Sequence, residues 1–229
     1  MQTRQPLTIA ILGGTGAQGG GLALRLAQAG HRVVIGSRSA DGARQGAETL
    51  NALLAQGRIE GADNATAAAG ADLAILAVPY AAQLGTALAV REQLASKILI
   101  DATVPLMPPK VSRVQLPGAG SAVAALQAEL GESVRVVSAF QNVSAHHLHA
   151  LGTEIDCDVL VCADDPQARD TALTLIADIG MRGINAGPLC NSAAAEALTS
   201  LLIHINRHYR SPGAGIRITG LPGPDEAAA

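Results

Sequence analysis

Short β-branched runs alternate along this chain with alanine- and leucine-rich stretches of helical length. Residues 7–12 (LTIAIL) predict a strand, and a glycine turn leads into a helix over 18–29. A second strand at 32–36 and a helix at 41–56 follow, then a weak third strand near 58–61. Two further strands, 72–78 and 97–102, bracket a helix over 81–94. A helix at 121–130 leads to a strand at 134–139. These strands are apolar through their length, as expected where helices cover both faces of a parallel sheet. The fold class predicted is α/β, a Rossmann-type doubly wound, mostly parallel sheet with a small C-terminal α/β annex.

That annex is expected to hold a strand at 158–162, a helix opening at Asp164-Asp165-Pro166 and closing at Gly180, and a strand at 182–185. A long helix at 192–209 ends it, with Asn191 and Ser192 read as its cap. The domain boundaries expected are 7–150 for the main Rossmann-type part, 151–220 for a smaller part closing a cleft, and 221–229 for a mobile tail.

Composition narrows the class. The chain has 229 residues, 48% hydrophobic and 15% charged, with a formal charge of −3. It lacks the basic surplus that phosphate neutralisation requires, and three aromatics cannot build a base-stacking platform. Nucleic acid is therefore not an expected partner. No apolar run approaches a membrane span, and the polar start, residues 1–6, leaves no room for a leader, so a cytoplasmic protein is expected. Cys157, Cys162 and Cys190 fit no zinc or thioredoxin spacing and are read as structural. The helix at 192–209 is alanine- and leucine-rich over most of its surface, which predicts a homodimer.

The sharpest chemical signal is Gly14-Thr15-Gly16-Ala17-Gln18-Gly19, a G-x-G-x-x-G between a strand and a helix. Gly14 is assigned the tight turn, Gly16 the approach of backbone amides to a pyrophosphate, and Gly19 close packing of helix on strand. The phosphates then meet the positive end of the helix. After the second strand, NAD-binding versions place an acid on the ribose 2′-hydroxyl, whereas this chain has Gly36-Ser37-Arg38. A guanidinium pairs with a 2′-phosphate and a hydroxyl adds a donor, so NADP(H) is the dinucleotide expected. The competing role is for Ser37 to cap the next helix, leaving Arg38 solvated.

From these residues on, the chain resembles the NADPH-dependent reductases of the deazaflavin coenzyme F420. The likeness is carried by the segment 12–38, by Ala77-Val78-Pro79-Tyr80, Val104-Pro105, Ser138-Ala139-Phe140, residues 158–165 and Ala186-Gly187-Pro188-Leu189-Cys190-Asn191-Ser192. It covers residues 7–220 and implies hydride transfer between NADPH and a deazaflavin in the cleft. The resemblance assigns Thr15, Gly16, Ala17, Gln18, Ser37 and Arg38 to the NADP phosphates and ribose. It puts Pro79, Val104 and Ala145 near the nicotinamide, and Gln141 and Val143 near the second ring. Tyr80 stands where the family often has Trp, Gln141 where some members have His, and Gly42 where some carry a basic residue.

Tyr80 and Phe140 follow the fourth and sixth predicted strands, the edge where an open α/β sheet builds its ligand crevice, so Tyr80 is assigned to the acceptor. No catalytic acid or base is assigned, because hydride transfer rests on positioning. The chain has no Tyr-x-x-x-Lys pair. His146, His147 and His149, and the pair His204 and His208, form no metal-protease motif, and no metal is expected; His147 or His149 is the better candidate for lining the cleft. Other expectations kept open are a different acceptor (flavin, metal chelate or imine) and a non-catalytic NADP(H)-sensing protein.

Overall fold

The computed structural model describes residues 5–221. In chain order the first half runs β1 (Thr8–Leu12), α1 (Ala17–Gln28), β2 (Arg32–Ser37), α2 (Ala40–Asn51), β3 (Ile59–Asp63), α3 (Asn64–Ala69), β4 (Leu73–Leu76), α4 (Tyr80–Ala89), α5 (Arg91–Leu94) and β5 (Ile98–Asp101). The second half runs α6 (Ala122–Leu130), β6 (Arg135–Ser138), α7 (Ala145–His149), β7 (Asp158–Ala163), α8 (Pro166–Asp178), β8 (Arg182–Asn185), a 3-10 turn (Leu189–Asn191) and α9 (Ser192–Tyr209). The strands form one sheet in the order β3-β2-β1-β4-β5-β6-β7-β8. All neighbours are parallel except β6 and β7, which pair only through Val137–Ala163 and Ser138–Cys162. The direction of strand order reverses between β1 and β4, and such a switch point opens a crevice at the carboxyl ends.

Side-chain alternation on β1 explains the two-sided core. Ile9 and Ile11 enter one buried cluster, with Leu22, Leu26, Ile35 and Ile75. Ala10 and Leu12 enter the other, with Leu76, Leu94, Leu99 and Leu126. Every one of these residues is almost fully enclosed, which a parallel sheet covered by helices requires.

The structure changes several expected boundaries for identifiable reasons. The helix expected to reach residue 56 stops at Asn51, whose amide exchanges two 2.8 Å hydrogen bonds with the Ile59 backbone and steers the chain into β3. The helix expected over 81–94 breaks at Val90, which leaves helical geometry as its side chain enters the core. Two short helices were not expected. Asp63 caps α3 by accepting from Thr66 N–H at 2.9 Å. The other is α7, which lies against α1: a methyl on Gly21 would come within 2.6 Å of Leu148 Cβ. From α1 the buried Arg25, which has no acidic partner among the described residues, donates to the carbonyls of His147, Leu148, Ala150 and Thr153. Burial lowers its pKa, and the carbonyl end of α7 supplies the compensating negative potential.

The annex is tied down by Asp158, fully buried at the start of β7. It takes two hydrogen bonds from Arg182 and one from Ile218 N–H, and the Arg182 guanidinium holds its carboxyl below the usual range. Cys157 and Cys162 are buried as expected of structural thiols, whereas Cys190 is exposed, because the turn before α9 carries it outward. Burial raises the Cys162 thiol to about 11. Among the described residues no helix is long and apolar enough to cross a membrane. Residues 1–4 and 222–229, which hold most of the expected leaderless start and tail, lie outside the described residues.

Candidate functional site

The glycine turn joins β1 to α1 with a division of labour that differs from the sequence expectation. Gly13, not Gly14, adopts the left-handed backbone, φ +82°. Gly14 is required because a Cβ there would lie 2.5 Å from Ile35 Cβ. A Cβ on Gly19 would meet Gly13 O at 2.7 Å and Gly14 Cα at 2.9 Å, so this glycine lets α1 close onto the turn itself, not onto the strand. A Cβ on Gly16 would meet only Gly13 O, at 3.4 Å. Gly16 N-caps α1 without any side-chain hydrogen bond, and the first turn carries no acid. The amides of Gly13, Gly14 and Gly16 donate to backbone carbonyls within and beside the turn, which leaves the first-turn amides of α1, Ala17 to Gly19, for an anion at the positive helix end. Thr15 packs on α2, where the missing side chain of Gly46 makes room.

At the end of β2 the helix cap is Ser39, which accepts from Gly42 N–H at 3.3 Å. Ser37 therefore does not perform the capping role that competed with phosphate binding. Its hydroxyl and the exposed Arg38 guanidinium stand at the N-terminal end of α2. Asp41, in the first turn of α2, is paired with Arg44, which offsets its repulsion of an incoming anion.

The opposite wall of the crevice is the knuckle after β6. Phe140 is buried and holds φ +74°, which is unusual for a bulky residue and marks a constrained turn. Gln18 reaches across from α1 and donates its amide to Phe140 O at 3.3 Å. Gln141 donates Nε2–H to Asp101 O, and Thr199 donates its hydroxyl to Gln141 O, both at 2.7 Å. Asn142 donates to Asp158 O at 2.7 Å. Val143 is buried, and Ala145 starts α7 beside it. Pro79 precedes and Tyr80 begins α4 just beyond β4, and Val104 follows β5, so all three share this carboxyl edge.

Asp101 ends β5 and is fully buried. It accepts from Gln83 Nε2–H and from Thr103 N–H, yet burial pushes its carboxyl up to about 6. Close by, Glu196 of α9 accepts from Ser121 Oγ–H at 2.7 Å, Ala122 N–H at 2.8 Å and Val123 N–H at 3.2 Å. It caps the N-terminus of α6 from another helix, with the helix dipole compensating its charge. Ser192, expected to cap α9, is instead buried and bonded to Ser121, while Asn191 makes no cap bond and donates to Ala186 O. Ser192, Glu196 and Thr199 form a polar stripe at i, i+4, i+7 that docks α9 on α6 and on the knuckle. That spacing was visible in an otherwise Ala/Leu helix, and it was the missed signal.

The histidines act as tethers. His147 Nε2 bonds Gly213 O at 2.6 Å and His149 Nε2 bonds Ala17 O at 2.8 Å, the first turn of α1. Among the described residues no three His, Cys, Asp or Glu side chains group as metal ligands. Two cavities, about 580 Å³ beside α8 and about 500 Å³ between α8, β8 and Arg217, lie off this edge and border none of the candidate ligand residues.

Comparison with known proteins gives the family. Residues 8–105 match the family described as NADP oxidoreductase, coenzyme F420-dependent. The chain is 43% identical over 223 residues to an F420-dependent NADP reductase of Methanocaldococcus jannaschii, covering 94% of this chain and 99% of the relative. A protein of the same name from Methanothermobacter marburgensis is also 43% identical, over 94% of this chain and 100% of its own. A solved structure from Arthrobacter sp. FB24, described as a candidate F420-dependent NADP-reductase, superposes with a TM-score of 0.78 at 28% identity, covering 93% of this chain and 99% of that one. With identity at this level spread over nearly the full length of both chains, the protein belongs to the family of F420-dependent NADP reductases.

Proposed function

We propose that this protein is an oxidoreductase that moves a hydride between NADP(H) and the deazaflavin coenzyme F420. The observation that carries the reading is the 43% identity to F420-dependent NADP reductases over 94% of the chain. In this reading Gly14 and Gly16 shape the turn, their own amides donating to Ile11 O and Gly13 O, and the free amides of Thr15, Ala17, Gln18 and Gly19 receive the pyrophosphate at the head of α1, with the Gln18 side chain bracing the turn against Phe140 O. Ser37 and Arg38 take the 2′-phosphate. Pro79, Val104 and Ala145 flank the nicotinamide, and Tyr80, Gln141 and Val143 hold the acceptor ring.

NADPH supplies a hydride from its C4, the deazaflavin accepts it at ring carbon C5, and a solvent proton completes reduction at a ring nitrogen. The protein's task is to hold the two carbons in near-attack contact and to exclude water, which is where most of the acceleration arises. Residues 151–220 serve as the smaller part that closes over the crevice. The exposed Leu201, Ile205 and Tyr209 of α9 support a homodimer, and the chain is assigned to the cytoplasm.

Mixing the protein with NADPH and oxidised coenzyme F420, then recording the visible absorbance of the deazaflavin, tests the reading. Bleaching matched by NADPH oxidation is expected. Unchanged absorbance at saturating NADPH overturns the acceptor assignment.

A further inference from the structure

Arg25 is 8% exposed, and its donors go to four backbone carbonyls in place of an acid. Nε–H donates to Leu148 O at 3.1 Å, Nη1–H to Thr153 O at 3.1 Å, and Nη2–H to His147 O at 2.8 Å and Ala150 O at 2.6 Å. Charged side chains are seldom enclosed without a paired charge. A cation answered only by carbonyls marks a place that uses the planar fork of donors and not a charge pair. Arg25 lies about 12 Å along α1 from Ala17, the first residue of that helix, so it stands clear of the diphosphate amides.

What Arg25 grips is α7 and the turn after it. With five residues, α7 is too short to hold its own orientation, so its place is set by its neighbours. The element it packs on most extensively is α1. The joint has three levels along α1. His149 Nε2 bonds Ala17 O at 2.8 Å, Leu148 fills the space that Gly21 leaves, and the Arg25 fork closes the far end. On its other side α7 is held by His147 Nε2 on Gly213 O. One helix thus presents the diphosphate amides at its head and carries α7, whose first residue is Ala145, on its flank.

We infer that Arg25 is a positioning residue for hydride transfer, which fixes the nicotinamide wall at α7 relative to the diphosphate bound at the head of α1. This inference rests on the proposed function for the place of the nicotinamide. Arg25 acts through α7 and touches no reacting atom. Lysine could not replace it, because an ammonium on a flexible stem is a single point, whereas the four carbonyls surround a planar group with several donors. Transfer is steep in the separation of the two carbons, so a small drift of α7 lowers the rate. Affinity for the dinucleotide comes from its phosphates and stays in place.

The experiment compares the native protein with Arg25→Lys and Gly21→Ala. The first keeps the charge and loses the fork; the second sets a methyl 2.6 Å from Leu148 Cβ and pushes α7 away with Arg25 intact. The dissociation constant for NADP⁺, measured by calorimetry, should stay within about twofold of the native value, while the single-turnover rate of hydride transfer from NADPH to the deazaflavin falls about tenfold or more. The nicotinamide fluorescence of bound NADPH should weaken and hydrogen exchange at the α7 amides should quicken, and neither readout needs turnover. A folded Arg25→Lys with native rate, fluorescence and exchange overturns the inference. So does a loss of NADP⁺ affinity in step with the rate, which would make Arg25 a support of the diphosphate site. Failure of both variants to fold overturns it as well, since the joint between α1 and α7 would then serve stability. A native protein that binds NADPH and reduces no deazaflavin counts against the proposed function instead, and fluorescence and exchange then decide the inference.

Discussion

The two walls of the crevice are built by opposite means. The wall at α1 is backbone: Gly13 supplies the left-handed turn, Gly14 and Gly19 supply absent side chains, and the helix end supplies the charge. The wall at the β6 knuckle is held by side chains, in which Gln18, Gln83, Asp101, Gln141 and Thr199 bond to one another or to the backbone across sequence separations of up to 122 residues, with Glu196 meeting Gln83 at the Ala122 backbone. A dinucleotide diphosphate is met well by fixed amides. A flat ring must be oriented against a second ring, and that calls for polar groups brought in from several elements. The contrast implies that damage at the first wall should act on NADPH alone, whereas damage at the second should spread to stability and acceptor use.

The largest effect is expected at Glu196. Replacing it with alanine strands Ala122 N–H and Val123 N–H in a buried place and leaves the Ser121 hydroxyl to turn to Ser192, at a cost of about 3 kcal/mol in urea denaturation. Glu196→Gln keeps an acceptor and should cost about 1 kcal/mol. Equal and negligible costs for both would show that α9 is held by its apolar contacts and not by this clasp.

Arg38→Ala probes the other wall. It should raise KM for NADPH about tenfold and leave KM for NADH and thermal stability unchanged, since the guanidinium is exposed. A rise shared by both dinucleotides would remove its 2′-phosphate role. Tyr80→Ala should raise KM for the deazaflavin about fivefold with little change for NADPH, the loss of one aromatic contact. The reverse pattern would move Tyr80 to the nicotinamide side.

A further effect, read as a change with pH, is expected from Asp101. Its folded carboxyl sits near 6, above the ordinary 3.8, so the protonated form favours the fold. The stability it contributes is complete below pH ~4 and is lost as pH rises through ~6. The difference in urea stability between the native protein and Asp101→Asn should therefore change across this window, in favour of the variant at higher pH. A difference that stays constant with pH would place Asp101 outside the titrating groups.

These contrasts also explain what could be read from residues alone. The alternation of buried strands and helices, the bounds 182–185 and 192–209, and the doubly wound class follow from local patterns. So does the glycine turn, although Gly13 carries the strained conformation because β1 ends one residue before it, at Leu12. The knuckle was legible only as a likeness to other proteins. Nothing local shows that Gln141 meets Asp101 or that Glu196 caps α6, because partners 40 and 74 residues apart meet only after the sheet order is set. The end of α2 was missed for the same reason, since Asn51 stops that helix by bonding forward to Ile59.

The central claim is direct hydride transfer across the crevice, and isotope labelling tests it most closely. NADPH carrying deuterium at the transferred C4 position is incubated with the protein and oxidised deazaflavin in ordinary water, and the reduced deazaflavin is analysed by mass spectrometry and NMR. The account predicts deuterium at C5 of the product, from one face of the labelled dinucleotide. Reduced deazaflavin without deuterium, or NADPH that binds tightly and is never oxidised, would contradict it.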